Sequence, residues 1–270
     1  MWQLAWVRRA LPAVALMVVP HFAAAQADGV DLELVLAVDV SRSMDFEEQE
    51  LQRDGYAAAF RHPEVLAAIA TGPLGRIAVT YVEWAGPEVQ SVVIPWTIVA
   101  SAEDAFAFAD KISEAKILRE RGTSISGGLE FASALFAGSG VRGLRRAIDV
   151  SGDGPNSMGL PVARVRDEVV AAGITINGLP IMLRSGGGFG AFGIDNLDIY
   201  YEDCVIGGPG AFIVTVDDAS QFPAAIRRKL VLEIAGVPSP PQLIPVAVAA
   251  PRIDCLIGEK RRERYLFDRY

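Results

Sequence analysis

From Leu32 to Met44 the chain reads LELVLAVDVSRSM. Leu34 to Val38 is a continuous apolar run, the pattern of a strand buried on both faces. Asp39, Ser41 and Ser43 follow in D-x-S-x-S spacing. Alternate residues of one tight loop can turn a carboxylate and two hydroxyls toward a common point. Such hard oxygen donors suit a small, hard cation such as Mg²⁺ or Mn²⁺. By itself the pattern is weak, because Asp and Ser are ordinary loop residues. Its weight depends on whether later loops bring further oxygens, and two of them do.

The second oxygen-bearing loop is RERGTSISGG, Arg119 to Gly128. Gly122 gives the backbone freedom, Thr123 brings a hydroxyl, and Ser124 or Ser126 can cap a helix running to Phe136. The third follows the strand Leu144–Val150 and reads SGDGPN, Ser151 to Asn156. It sets Asp153 in a Gly-bracketed turn between that strand and a helix over Pro161–Ala172. Asp-Gly is common turn chemistry, but this is where open α/β sheets place ligands, beyond the carboxyl ends of their strands.

The intervening segments alternate strand and helix. Asp45–Arg61 reads as a helix with acids in its first turn and a stripe of Leu51, Tyr56, Ala59 and Phe60, ended by His62-Pro63. Arg76–Trp84 and Val89–Trp96 read as strands in a short antiparallel hairpin through Gly86-Pro87. Of the residues closing the first of these, Trp84 reads as packed and Glu83 as a surface carboxylate. Ser101 opens a helix with Asp104 in capping-box position and Phe106, Phe108, Ala109 and Ile112 inward. Ile174–Pro180 and Ala211–Val216 read as strands, and Asp195–Val205 as a short helix carrying Cys204. Asp217–Ala235 reads as the last helix of the sheet region, with Ala219, Phe222, Ile226 and Leu230 inward. The formal G-x-G-x-x-G of Gly188, Gly190 and Gly193 precedes no clear helix and reads as a Gly-rich insertion rather than a dinucleotide loop.

The ordered set D-x-S-x-S, Thr and Asp at three strand-end loops resembles the von Willebrand factor type A (VWA) domain, over roughly residues 30–236. More closely, LQRDGYAAAFRHPEV, VTYVEWAG and YYEDCVIGGPGAF resemble a group of secreted bacterial proteins known as domain of unknown function 1194. The resemblance implies a Rossmann-like three-layer α/β/α sandwich, its central sheet mainly parallel with one antiparallel strand. It also implies a metal-ion-dependent adhesion site formed by Asp39, Ser41, Ser43, Thr123 and Asp153. In such a site Ser41 and Ser43 bind the metal directly, and the others bind directly or through water. One exchangeable position is left for an Asp or Glu carboxylate of a protein partner. Mg²⁺ is the expected cation, with Mn²⁺ or Ca²⁺ as alternatives.

Residues 1–25 have the form of a cleaved signal peptide: Arg8 and Arg9, an apolar core from Ala10 to Val19, and the small-residue site Ala23–Ala25. The mature chain would begin at about Gln26 and be periplasmic or secreted. Without Arg8 and Arg9, 23 basic residues face 33 acidic ones, a net charge of about −10. That argues against nucleic acid or an anionic membrane surface as partner. No later apolar run is long enough to span a bilayer. A single remaining histidine, His62, leaves no basis for a His-rich zinc site or a Ser-His-Asp triad. In an oxidising compartment Cys204 and Cys255 can pair; two free thiols are the alternative. Val237 to Pro251 reads as a Pro- and Ala-rich linker, so that residues 237–270 are linker and tail, and the charged C-terminal end is either a docked helix tied by Cys255 or a solvated tail.

Three functions fit this reading. The first is a protein-binding module acting through the cation, without enzymatic activity. The second is a metal-assisted hydrolase, for which Glu83, Asp45 or Asp195 would have to act as base. The third is a metal-independent scaffold.

Overall fold

In the computed structural model the described residues are 28–183, 193–236 and 251–267. The segment read as a leader (1–25), most of the Gly-rich insertion, and the expected linker up to residue 250 lie outside them. The strands are β1 (Asp28–Asp39), β2 (Ile77–Trp84), β3 (Gln90–Val99), β4 (Val141–Gly152) and β5 (Thr175–Pro180). They form one sheet in the order β3-β2-β1-β4-β5. β1 pairs in parallel with β2 and β4, β4 pairs in parallel with β5, and β3 alone is antiparallel, beside β2.

β1 is buried on both faces, as its apolar run requires. Leu32, Leu34, Leu36 and Val38 enter one hydrophobic cluster, while Val35 and Ala37 enter the other. The first cluster is completed by α1 (Phe46–Phe60), α2 (Pro63–Ala70), α3 (Ala102–Glu114) and α7 (Phe222–Ala235). The second is completed by α4 (Ile125–Leu135), α5 (Val162–Ala171) and α6 (Leu197–Tyr200), whose last turn widens into a π-turn over Tyr201–Val205. Helix, sheet and helix make the three-layer α/β/α sandwich that the sequence led us to expect. The chain leaves β1 toward β2 on one side and returns to β4 on the other. The carboxyl ends of β1 and β4 are therefore the topological switch point, the crevice where open sheets bind ligands.

Several local expectations are corrected. His62-Pro63 does end α1, but Pro63 also opens α2 at once, with His62 as N-cap accepting from the Glu64 N–H. Pro is favoured in a first helical turn, where its missing N–H has no partner to lose. Phe106 is exposed, because Ala105, Phe108, Ala109 and Ile112 hold the inward stripe of α3 and position 106 is turned away. Ala219 is also exposed, and the last helix of the sheet region begins only at Phe222, beside Pro223. Glu83 is not on the surface. It is buried and ion-paired with Arg53 of α1, which also donates to the Ala115 carbonyl at the end of α3.

Residues 211–216 run alongside β5 without a continuous ladder. Val214 N–H donates to the Gly178 carbonyl (3.0 Å) and Val216 N–H to that of Pro180 (3.1 Å). Between these bonds the ladder needs a donor from residue 180, and proline has none. The segment thus forms two separate parallel bridges, Ile213 with Gly178 of β5 and Val216 with Ile181 just beyond it.

The C-terminal region is docked rather than solvated. α8 (Ile257–Phe267) returns to the α4–α5 layer, and Cys204 and Cys255 form a disulfide with a Cα–Cα distance of 5.5 Å. Among the described residues no helix is long and apolar enough to cross a membrane.

Candidate metal centre

Asp39 is the last residue of β1, where the strand has already buried its neighbours. Its carboxylate is fully buried and accepts from the Ser41 N–H through Oδ1 at 2.6 Å. This bond bends the chain back on itself, an Asx-type turn that brings the next two serines around the strand end. Ser41 Oγ lies 2.7 Å from Ser43 Oγ, and Ser43 Oγ donates to Asp153 Oδ1 at 2.6 Å. Four of the five residues read from the sequence therefore meet in one connected group of oxygens. Ser41 is buried with Asp39, whereas Ser43, Asp153 and Thr123 are half-buried, so the group reaches solvent on one side.

Thr123 is tied through its backbone to the loop that carries Asp153, and among the described residues its hydroxyl makes no hydrogen bond with this group. Its carbonyl accepts from the Ser157 N–H (2.9 Å) and hydroxyl (3.2 Å) of the Asp153 loop, while Ser124 N–H donates to the Ala85 carbonyl beyond β2 (2.7 Å). The segment before it is laced to the first loop. Arg42 N–H donates to the Glu120 carbonyl, Glu120 N–H to that of Val40, and the Arg119 guanidinium to that of Met44 (2.7 Å). Of the two candidate caps, Ser124 is the N-cap of α4, accepting from the Gly127 N–H. Gly122 has φ +92°, and an added Cβ would lie 2.7 Å from Met158 Sδ, so both backbone and space call for glycine there.

The electrostatics are unbalanced. Burial, and then the charge of Asp153, push the Asp39 carboxyl well above the usual carboxylate range, against the lowering effect of its Ser41 hydrogen bond. Asp39 Oδ2 is buried and has no hydrogen-bond partner among the described residues. A buried carboxylate oxygen is costly without a proton, a donor or a cation beside it. A hard divalent ion held by two carboxylates and serine hydroxyls would offset both effects, so the donor set fits such a group. Among the described residues no group of three or more His, Cys, Asp or Glu side chains is placed to hold a metal ion.

The carboxylates considered as bases are otherwise placed. Glu83 pairs with Arg53, and Asp45 caps α1 in a reciprocal box with Glu48. Asp195 is exposed. Arg42, beside the site, is exposed, and its Nε donates to the Arg119 carbonyl at 3.4 Å.

Three participants were not nominated from the sequence. An added Cβ at Gly152 would lie 2.9 Å from the Tyr201 hydroxyl and 3.0 Å from Asp39 Oδ2, so this glycine lets the two approach. Tyr201 is fully buried, and its hydroxyl also has no hydrogen-bond partner among the described residues. Asn156 binds the Ser126 N–H through Oδ1 (3.0 Å) and joins the third loop to α4. Tyr201 lies 162 positions from Asp39, and nothing local in the sequence signals that contact.

A mainly parallel sheet with these loops at its switch point is the architecture of VWA domains. Solved structures bear this out. The proximal thread matrix protein 1 from the mussel byssus, with a zinc-occupied MIDAS motif, matches with a TM-score of 0.53 at 17% identity, over 78% of this chain and 49% of that one. A von Willebrand factor type A protein from Catenulispora acidiphila matches with 0.52 at 15% identity, over 76% and 43%. The pilus adhesin SpaC from Lactobacillus rhamnosus GG matches with 0.55 at 14% identity, over 77% and 31%. The chain spans less than half the length of each. The chain belongs to the family described as protein of unknown function (DUF1194), whose model matches residues 29–238. No curated protein matches it.

Proposed function

We propose that this chain is an exported, non-enzymatic binding module that recognises a protein partner through a divalent cation. Asp39, Ser41, Ser43 and Asp153 would hold the ion, with Thr123 completing the set from the second loop. The observation that carries the reading is the bonded oxygen group at the switch point, with the buried Asp39 Oδ2 lacking a hydrogen-bond partner among the described residues. The bound ion would supply a Lewis-acidic position for an oxygen ligand. An Asp or Glu carboxylate of the partner is the ligand whose charge and hardness suit it.

The engagement of Glu83 by Arg53 and of Asp45 by the α1 cap favours binding over hydrolysis, since both carboxylates already have partners. Mg²⁺ is the cation we expect, and Mn²⁺ and Ca²⁺ are the alternatives. The sequence of residues 1–25 supports export to the periplasm or beyond.

Calorimetric titration of the three cations into the chain beginning at Gln26, beside Asp39→Ala, tests the site. Binding by the native chain and none by a folded Asp39→Ala is the expected result. Equal affinity in the two would sink the assignment.

A further inference from the structure

We propose that the disulfide-tethered C-terminal segment is a working part of the cation site, acting through Asn156 as a positioning residue. The inference rests on the cation reading above. It concerns residues 251–267, which lie beyond the stretch that the family model matches.

Asn156 stands three residues after Asp153, and its polar groups are shared among separate elements. Oδ1 accepts from the Ser126 N–H of α4 at 3.0 Å. The backbone N–H donates to the Tyr200 hydroxyl at 3.1 Å, and Nδ2 donates to the Leu160 carbonyl at 3.1 Å. Nδ2 also donates to Glu259 Oε1 of α8 at 2.7 Å, a bond to a charged acceptor and hence among the stronger ones. Beside it Gly258 is buried so close to the loop that any added Cβ would collide with the Asn156 carbonyl. The next residue, Ser157, holds the Thr123 carbonyl. Through one side chain the C-terminal helix therefore reaches two of the three loops that supply the site oxygens.

The segment is fastened on the same side. Cys255 is bonded to Cys204, and the Tyr200 hydroxyl, which receives the Asn156 N–H, donates to the Cys255 carbonyl at 3.4 Å. Arg252 pairs with Glu202 and Asp203, and Arg261 donates to the Gly193 carbonyl. Arg252 and Glu202 are exposed while Asp203 is largely covered, so solvent screens these pairs from one side. The covalent bond keeps Glu259 in reach of Asn156 even when they open.

A ligand loop that is already ordered binds more tightly, because less conformational freedom is lost on binding. Groups that orient metal ligands from behind typically account for about 10- to 100-fold in metal affinity. Glu259→Ala removes the acceptor. Glu259→Gln keeps an oxygen in place for Asn156. Cys255→Ser frees the segment without touching the loop.

The test is calorimetric titration of Mn²⁺ into the full oxidised chain and these three variants, with hydrogen exchange of residues 151–160 followed in cation-free protein. Glu259→Ala and Cys255→Ser should weaken Mn²⁺ binding about 10- to 100-fold and speed exchange in the loop. Glu259→Gln should restore both. Native-like affinity and exchange in Glu259→Ala and Cys255→Ser would overturn the clamp and leave the site standing. Failure of the native chain itself to bind would instead overturn the cation reading, and with it any role for the clamp in binding.

Discussion

Asp39 concentrates the physical cost of the site. Its carboxylate is buried, faces the charge of Asp153, and keeps one oxygen without a hydrogen-bond partner among the described residues. Neutralising it should therefore relieve repulsion in the cation-free protein while removing what a cation would bind. Asp39→Asn should melt no lower than the native chain without added metal. With Mg²⁺ at about 100 times its Kd, the native chain should gain about 2.7 kcal/mol and the variant nothing, read as a thermal shift. A variant that still shifts would remove Asp39 from the ligand set.

At the scale of elements, α7 is joined to β4 by a buried charge cluster. Lys229 Nζ lies 2.5 Å from Asp149 Oδ1 and 2.6 Å from Glu233 Oε1, all three being buried. Lys229→Ala would leave two carboxyls with no cation, and should cost about 3–5 kcal/mol in denaturant unfolding. Burial, and then the charge of Asp149, push the Glu233 carboxyl up from its ordinary 4.5 to about 7, against the pull of Lys229. Between these two values the unfolded chain has lost a proton that the folded chain keeps. Stability therefore falls as pH rises from about 4.5 to about 7, and this contribution levels off above. Glu233→Gln leaves Lys229 paired with Asp149 and should flatten that part of the stability–pH curve. An unchanged slope would place the titration elsewhere.

At the scale of the whole molecule, the disulfide joins the sandwich to a segment 51 residues further along the chain, across the linker. Cleaving such a bond typically costs about 2–5 kcal/mol, because the unfolded chain regains the freedom that the bridge had removed. Reduction by a dithiol transfers two electrons and two protons to give two thiols and the dithiol's cyclic disulfide. Urea midpoints with and without it should differ by that amount. Coincident midpoints would mean that the segment is docked without adding to stability.

Local pattern alone determined much of this protein. The apolar run of β1, the strand–helix alternation, the antiparallel hairpin and the cap at Ser101 all follow from short-range periodicity and hydrogen bonding, while the choice of Ser124 over Ser126 as the cap of α4 came from the structure. So did Asp39, Ser41 and Ser43, because their spacing puts them on one turn. Their meeting with Asp153 came from the order of the loops and the resemblance, since no local rule joins residues 110 positions apart. What only the tertiary structure decided is the set of contacts between elements that no local pattern pairs. Burial of Glu83 needs Arg53 from another element. Gly152 lies beside Asp39 through the β1–β4 pairing, but Tyr201 reaches them only because residues 197–205 pack against the sheet. The charged C-terminal run looks solvated by composition, yet the Cys204–Cys255 bond and the Asn156–Glu259 contact fold it onto the third ligand loop. Side-chain periodicity reports which face of an element is apolar, but not which distant element will cover it.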